Sequence, residues 1–330
     1  MEVGEKLAET LVPQRNDKQR WLQQLTEYSL IVIFVLMFVT TSIFVDHFFS
    51  IENMLGLALS VSQIGMVACT MMFCLASRDF DLSVGSTVAF AGVLCAMVLN
   101  ATGSTMLGIV AAVFAGAVIG WLNGAVIAYL RINALITTLA TMEIVRGLGF
   151  IVSNGQAVGV SSDTFIALGG LSLFGVSLPI WVTLLCFIVF GVMLNNTVYG
   201  RNTLAIGGNP EASRLAGINV ERTRVYIFLV QGAVTALAGV ILASRITSGQ
   251  PNAAQGFELN VISACVLGGV SLLGGRATIS GVVIGVLIMG TVENVMNLLN
   301  IDAFYQYLVR GAILLAAVLL DQLKNRGSRD

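Results

Sequence analysis

TVYGRNTLAIGGNPEASRLAGINVERTR runs from Thr197 to Arg224 and holds four arginines and two glutamates. Apolar runs flank it at 178–194 and 225–244. Each approaches the roughly 20 residues that a helix needs to cross a bilayer core of about 30 Å. A polar segment between two such runs reads as a loop outside the membrane. Its flanks decide the fold class, an all-α integral membrane protein.

Working outward, ten apolar runs qualify as transmembrane helices: 28–45, 54–76, 84–100, 105–130, 134–152, 178–194, 225–244, 260–273, 278–299 and 303–320. The eighth is short and glycine-rich (CVLGGVSLLGG), so it is either broken, partly re-entrant or continuous. The composition agrees: 56% of residues are hydrophobic and 11% charged, with a mean hydropathy of +0.89. Soluble domains carry about 25% charged residues, so most of this surface meets lipid. A net charge of −1 gives no reason to expect nucleic acid. The single histidine, His47, beside Asp46, reads as an interfacial residue and not as a ligand. Cys69, Cys74, Cys95, Cys186 and Cys265 all lie in apolar runs without metal or redox spacing and read as small core residues.

Lysine and arginine set the orientation. With the N-terminus in the cytoplasm and ten crossings, fourteen basic residues fall inside and only Arg245 outside; Arg146 and Arg310 lie within helices. Residues 1–27 are then a cytoplasmic tail ahead of an uncleaved membrane helix. Residues 28–320 form the membrane domain, 195–224 is a cytoplasmic loop between helices six and seven, and 321–330 is a cytoplasmic tail.

Two motif pairs hint at a repeat. FDLSVGS (80–86) and FELNVIS (257–263) open the third and eighth runs, and IVRG (144–147) and LVRG (308–311) lie in the fifth and tenth. Five crossings separate the members of each pair, which fits two inverted halves of five helices. GAVIGWLNG places Gly116, Gly120 and Gly124 on one helix face, where small residues allow close packing, within one chain or between subunits.

The polar loop specifies a short helix. Asn209 suits the N-cap and Pro210 the first helical position. Glu211 complements the positive end of the dipole, Arg214 lies toward the other end, and Gly217 suits a left-handed C-cap. A helix of two turns is not stable alone in water and has to dock on something. Ala212, Leu215 and Ala216 are its apolar residues. The docking surface is either the chain's own membrane domain or a cytoplasmic partner.

EASRLAG (211–217) resembles the Glu-Ala-Ala-x-x-x-Gly loop of ATP-binding-cassette importer permeases, with Ser213 in place of the second alanine. The surrounding GRNTLAIGGNPEASRLAGI is similar to the carbohydrate permeases of the ribose, galactose and arabinose group. So are FDLSVGS, INALITTLATMEIVRG (132–147) and ISACVLGGVSLLGG (262–275), in the same order along almost the whole chain from residue 28. The resemblance implies ten helices in a bacterial inner membrane and a second permease copy in a homodimer. It also implies a cytoplasmic ATPase that uses ATP and magnesium, a periplasmic sugar-binding protein and a monosaccharide substrate. L-arabinose is the sugar it favours, with ribose and galactose as alternatives. By the same resemblance, Asn209, Glu211, Ala212, Arg214, Leu215 and Gly217 form the coupling element that fits a cleft in the ATPase. The chain itself has no G-x-x-x-x-G-K-[ST] segment, so the motor is another polypeptide and no cofactor is expected here.

Charged and amide side chains inside a membrane are paired, functional or both. Glu143 and Arg146 are spaced to meet on one helix face. Glu293 and Arg310 lie at similar depth on consecutive helices. Together with Gln63, Gln231 and Asn297 they are either glue between helices or part of a translocation path. An ion-coupled secondary transporter would instead need Glu143 and Glu293 to titrate or bind ions.

Overall fold

The computed structural model describes residues 17–326. Thirteen described helices account for most of the chain. They are α1 (Asp17–Phe44), α2 (Ile51–Ala76), α3 (Val84–Thr102), α4 (Thr105–Tyr129), α5 (Ala134–Val152), α6 (Asp163–Gly170) and α7 (Leu178–Asn196). After these come α8 (Val198–Gly208), α9 (Pro210–Leu215), α10 (Val220–Arg245), α11 (Phe257–Leu267), α12 (Ile279–Leu298) and α13 (Ala303–Arg326). Four two-residue strands form two antiparallel ribbons: β1 (Val158–Gly159) with β4 (Ser248–Gly249), and β2 (Ser172–Leu173) with β3 (Val176–Ser177).

Seven helices, α2, α3, α4, α5, α7, α10 and α12, are long and apolar enough to cross a membrane. Shorter apolar stretches at Leu30–Phe44, Phe257–Leu267 and Ala303–Leu319 occupy the other three expected runs. Several helices overrun the hydropathy boundaries. α1 begins within the tail expected over 1–27, and α13 continues into the tail expected over 321–330. Hydropathy marks where the chain leaves an apolar solvent, but backbone hydrogen bonding continues wherever no breaker intervenes. The rest of those two expected tails, 1–16 and 327–330, lies outside the described residues. The eighth run departs furthest. Helix α11 stops at Leu267, and residues 268–278 turn through Gly269, Gly274 and Gly275, all at positive φ.

α10 is the structural axis and packs against α2, α3 and α4. The glycine stripe on α4 faces it within the same chain: Gly116 and Gly120 abut the backbone of Gly232 and Phe228, and Gly124 abuts Val225. A β-carbon at Gly120 would overlap the Phe228 carbonyl, so the two backbones touch where glycine alone fits. α2 is the second buried helix and contributes Met66, Val67, Met71, Met72, Phe73 and Leu75 to the main core. α11 packs between α2, α12 and α13. Its N-terminus meets that of α3, because Gly85 abuts the Ala254 carbonyl and the Glu258 carboxylate.

Candidate functional site

Between α7 and α10 the polar segment folds into two helices, where the sequence reading had placed one. Thr197 caps α8, its hydroxyl accepting from Gly200 N at 3.3 Å. Asn209 ends α8 and caps α9, its Oδ1 accepting from Ala212 N at 3.0 Å. Pro210 takes the first turn. The exit is a Schellman turn: Ile218 N donates to Ser213 O at 3.0 Å, Gly217 N donates to Arg214 O at 2.9 Å, and Gly217 sits at φ +83°.

The faces of α9 divide cleanly. Ser213 is buried and its hydroxyl donates to Asn209 O at 2.8 Å. Glu211, Ala212 and Ala216 are exposed, and Leu215 is 91% exposed. Arg214 Nη1 lies 2.7 Å from Glu211, and its Nη2 lies 2.8 Å from Glu221 at the start of α10. An apolar side chain held out on a helix pinned at both ends has the form of an anchor for another surface.

The segment is also tied to the membrane helices. Arg78, just after α2, donates from Nη2 to Gly208 O at 2.8 Å and from Nε to Gly207 O. Gly275 N donates to Ala76 O at 2.9 Å at the same place. Arg224 Nη2 donates to Asp79 Oδ1 at 2.9 Å, and its Nε lies 2.9 Å from Oδ2 in the same ion pair. Burial pushes the Asp79 carboxyl up to about 6, against the pull of Arg224 and Ser77. α9 is thus linked directly to α10 through Arg214 and Glu221, and to the loop that opens α3 by way of the end of α8 and Arg224.

A buried polar chain follows that loop. Asp81 accepts from Ser83 N at 2.9 Å and from Ser83 Oγ at 2.6 Å. Asn123 of α4 donates to Ser83 Oγ at 3.1 Å, and Thr141 of α5 donates to Asn123 Oδ1 at 2.6 Å. The sequence reading singled out none of Arg78, Asp79, Asp81, Asn123, Thr141 or Arg224 as site residues. For Asp81 a signal was present in FDLSVGS: Asp-x-Ser ahead of a helix is an Asx-turn pattern.

Of the expected intramembrane pairs, the structure brings one together. Arg310 Nε lies 3.0 Å from Glu293 Oε1, and Asn260 Nδ2 donates to the same oxygen at 3.3 Å. Glu143 and Arg146 form no ion pair among the described residues. Arg146 Nη1 instead donates to Pro251 O at 2.9 Å and Ala253 O at 2.7 Å, because the irregular chain ahead of α11 offers carbonyls with no helical partner. Glu143 is left on the exposed side of α5. Gln231 is fully buried in α10, and neither of its side-chain polar atoms has a partner among the described residues. Gln63 Nε2 on α2 is buried likewise. Asn297 is exposed near the α12–α13 turn and accepts from Gln306 at 2.8 Å.

Apolar helices packed through glycine, with one rigidly capped polar loop, define a multi-pass helical membrane protein. The chain belongs to the family described as branched-chain amino acid transport system / permease component, whose model matches residues 53–318. It is 58% identical to the L-arabinose transport system permease protein AraH of Escherichia coli K12, over 92% of each chain. It is 53% identical to the L-arabinose ABC transporter permease protein AraH of Azospirillum brasilense, over 93% of this chain and 91% of that one. The ribose import permease protein RbsC of Escherichia coli K12 is 35% identical, over 96% and 99%. No solved structure matches.

Proposed function

We propose that this chain is the membrane-spanning subunit of an ATP-driven importer that moves L-arabinose across the inner membrane. The observation that carries the sugar is the gap in identity: 58% and 53% to L-arabinose permeases against 35% to a ribose permease, all at nearly full length. A separate cytoplasmic ATPase hydrolyses ATP with magnesium, and a periplasmic binding protein delivers the sugar.

In this reading all ten apolar stretches cross the membrane, with α11 and the irregular chain ahead of it sharing one crossing. Both termini and the polar segment lie in the cytoplasm. The meeting of the α3 and α11 N-termini, which carry the FDLSVGS and FELNVIS motifs, supports two inverted halves. Asn209, Glu211, Ala212, Arg214, Leu215 and Gly217 form the coupling element, with Leu215 as its apolar anchor. ATPase closure moves α9, and the motion reaches α10 directly and the α2–α3 loop through Arg78 and Arg224.

Glu143 marks the path. It lies nine residues into α5, or about 13 Å along the axis, and it is exposed. A carboxylate facing hydrocarbon at that depth is costly. One turn on, Gly147 has open space beside it. We read this face of α5 as turned toward a translocation path beside a second copy of the chain, because the charge of Glu143 needs polar surroundings. Glu293 is engaged by Arg310 and Asn260, which disfavours it as an ion-coupling carboxylate.

The test is uptake of labelled L-arabinose, ribose and galactose in a strain lacking this gene, with and without a plasmid copy. Arabinose uptake is expected to vanish and return with the plasmid. Loss of ribose or galactose uptake with arabinose intact would overturn the sugar.

A further inference from the structure

Beside α9 lies a cavity of about 700 Å³ whose walls include Arg78, Asp79, Arg131, Glu211, Arg214 and Arg224. Its charges are unbalanced. Arg224 is matched by Asp79, and Arg214 by Glu211 and Glu221, while Arg78 donates to the carbonyls of Gly207 and Gly208 and meets no carboxylate among the described residues. Arg131 makes no hydrogen bond or ion pair among the described residues and acts on Glu221 only at longer range. Four guanidiniums thus stand against the lining carboxylates Asp79 and Glu211 and against Glu221 just behind them, and neither Arg78 nor Arg131 has a carboxylate in direct contact among the described residues.

The backbone at Arg131 is unusual too. Between the end of α4 at Tyr129 and the cap of α5 at Asn133, it stands at φ +57°, a left-handed position that favours glycine. For an L-residue with a β-carbon this conformation is unfavourable, because the β-carbon crowds the following carbonyl oxygen. An exposed arginine lines the cavity there, where a glycine would fit the backbone more easily.

We propose that this cavity is a second docking point for the ATPase subunit and receives an acidic side chain of that partner onto Arg131. This inference rests on the reading of α9 as the coupling element. Pro210, Glu211 and Arg214 of the α9 segment form one wall, so a partner seated on Leu215 also covers the cavity. The field inside is positive, which selects a carboxylate. The contact would join the α4–α5 turn to the motor and give it a grip on α5 as well as on α10.

The full-length permease, co-expressed with its ATPase and held in nanodiscs, provides the test. Arg131→Gly suits the left-handed backbone, so the fold stays intact while the charge is lost. We expect ATPase association about fivefold weaker, the scale of one exposed ion pair, with a flatter dependence on salt. Arg131→Lys should restore most of the binding, and Arg131→Glu should weaken it further. Leu215→Ala separates the two readings. If Leu215→Ala weakens association while all three Arg131 variants bind as wild type with wild-type salt dependence, the cavity is not a docking point and the coupling reading survives. If neither position matters, both fail. If the Arg131 effect appears only in nanodiscs containing phosphatidylglycerol and not in pure phosphatidylcholine, the cavity holds a lipid phosphate and the proposal is overturned.

Discussion

Two ion pairs in this molecule are similar in closest distance and belong to different solvents. Arg214 and Glu221 approach to 2.8 Å, Arg310 and Glu293 to 3.0 Å. Their side chains are similarly exposed, 34% and 28% in the first pair against 27% and 22% in the second. What differs is the surroundings. The first pair lies in the polar segment between α7 and α10, the second between two apolar helices. In water such a pair contributes about 0–1 kcal/mol, because each ion alone is well solvated. Between apolar helices the isolated ion has nowhere to go. Breaking a buried pair by removing one partner therefore costs about 3–5 kcal/mol. Distance says little about which pair holds the fold; the solvent left to the survivor decides.

The largest expected effect follows directly. Glu293→Ala strands Arg310 and should sharply lower the amount of folded permease recovered in detergent. Glu293→Ala with Arg310→Ala removes both charges and should restore part of it. Monodisperse protein by size-exclusion chromatography measures both. Abundant, well-folded but inactive single and double variants would move the pair from structure to the transport path.

A middle-sized effect sharpens the contrast from the loop side. Gly217→Val places a β-branched residue at φ +83°, which undoes the turn that ends α9. The loop contributes little to packing between membrane helices, so insertion and abundance should match wild type. ATPase co-purification and sugar uptake should both fall severalfold. Normal docking and uptake in this variant would show that α9 is ordinary loop structure.

Elements whose physics is local were readable from the chain. The apolar runs placed the helices because a bilayer demands length. Asn209, Pro210 and Gly217 placed α9 because caps act over four or five residues. Interactions that need the third dimension were not readable. Spacing suggested Glu143–Arg146, yet Arg146 turned to the carbonyls of Pro251 and Ala253, more than a hundred residues away. Arg224 and Asp79 meet across 145 residues, and no spacing rule reaches that far. α8 was missed because VYGRNTLAIGG carries two glycines at its end and one near its start, a composition that reads as loop. Its cap, Thr197, and the docking of Gly207 against Ala76 hold it helical.

The smallest effect tests the comparison at its weak end. Glu211→Ala removes one of two carboxylates around Arg214, and Glu221 remains at 2.8 Å. The Glu211 side chain is 79% exposed, so its pair is screened by water and salt. It also loses an acid from the first turn of α9, but Asn209 still caps that end. Abundance should be unchanged, ATPase co-purification nearly so, and sugar uptake reduced by less than about threefold, below the roughly fivefold that one exposed pair can be worth, because Glu221 still holds Arg214. Glu211→Ala with Glu221→Ala leaves Arg214 without either carboxylate. In water that arginine remains solvated, so the double variant should still be abundant, unlike Glu293→Ala. If the double variant instead fails to accumulate, the loop pair is as structural as the membrane pair, and solvent is the wrong explanation for the difference between them.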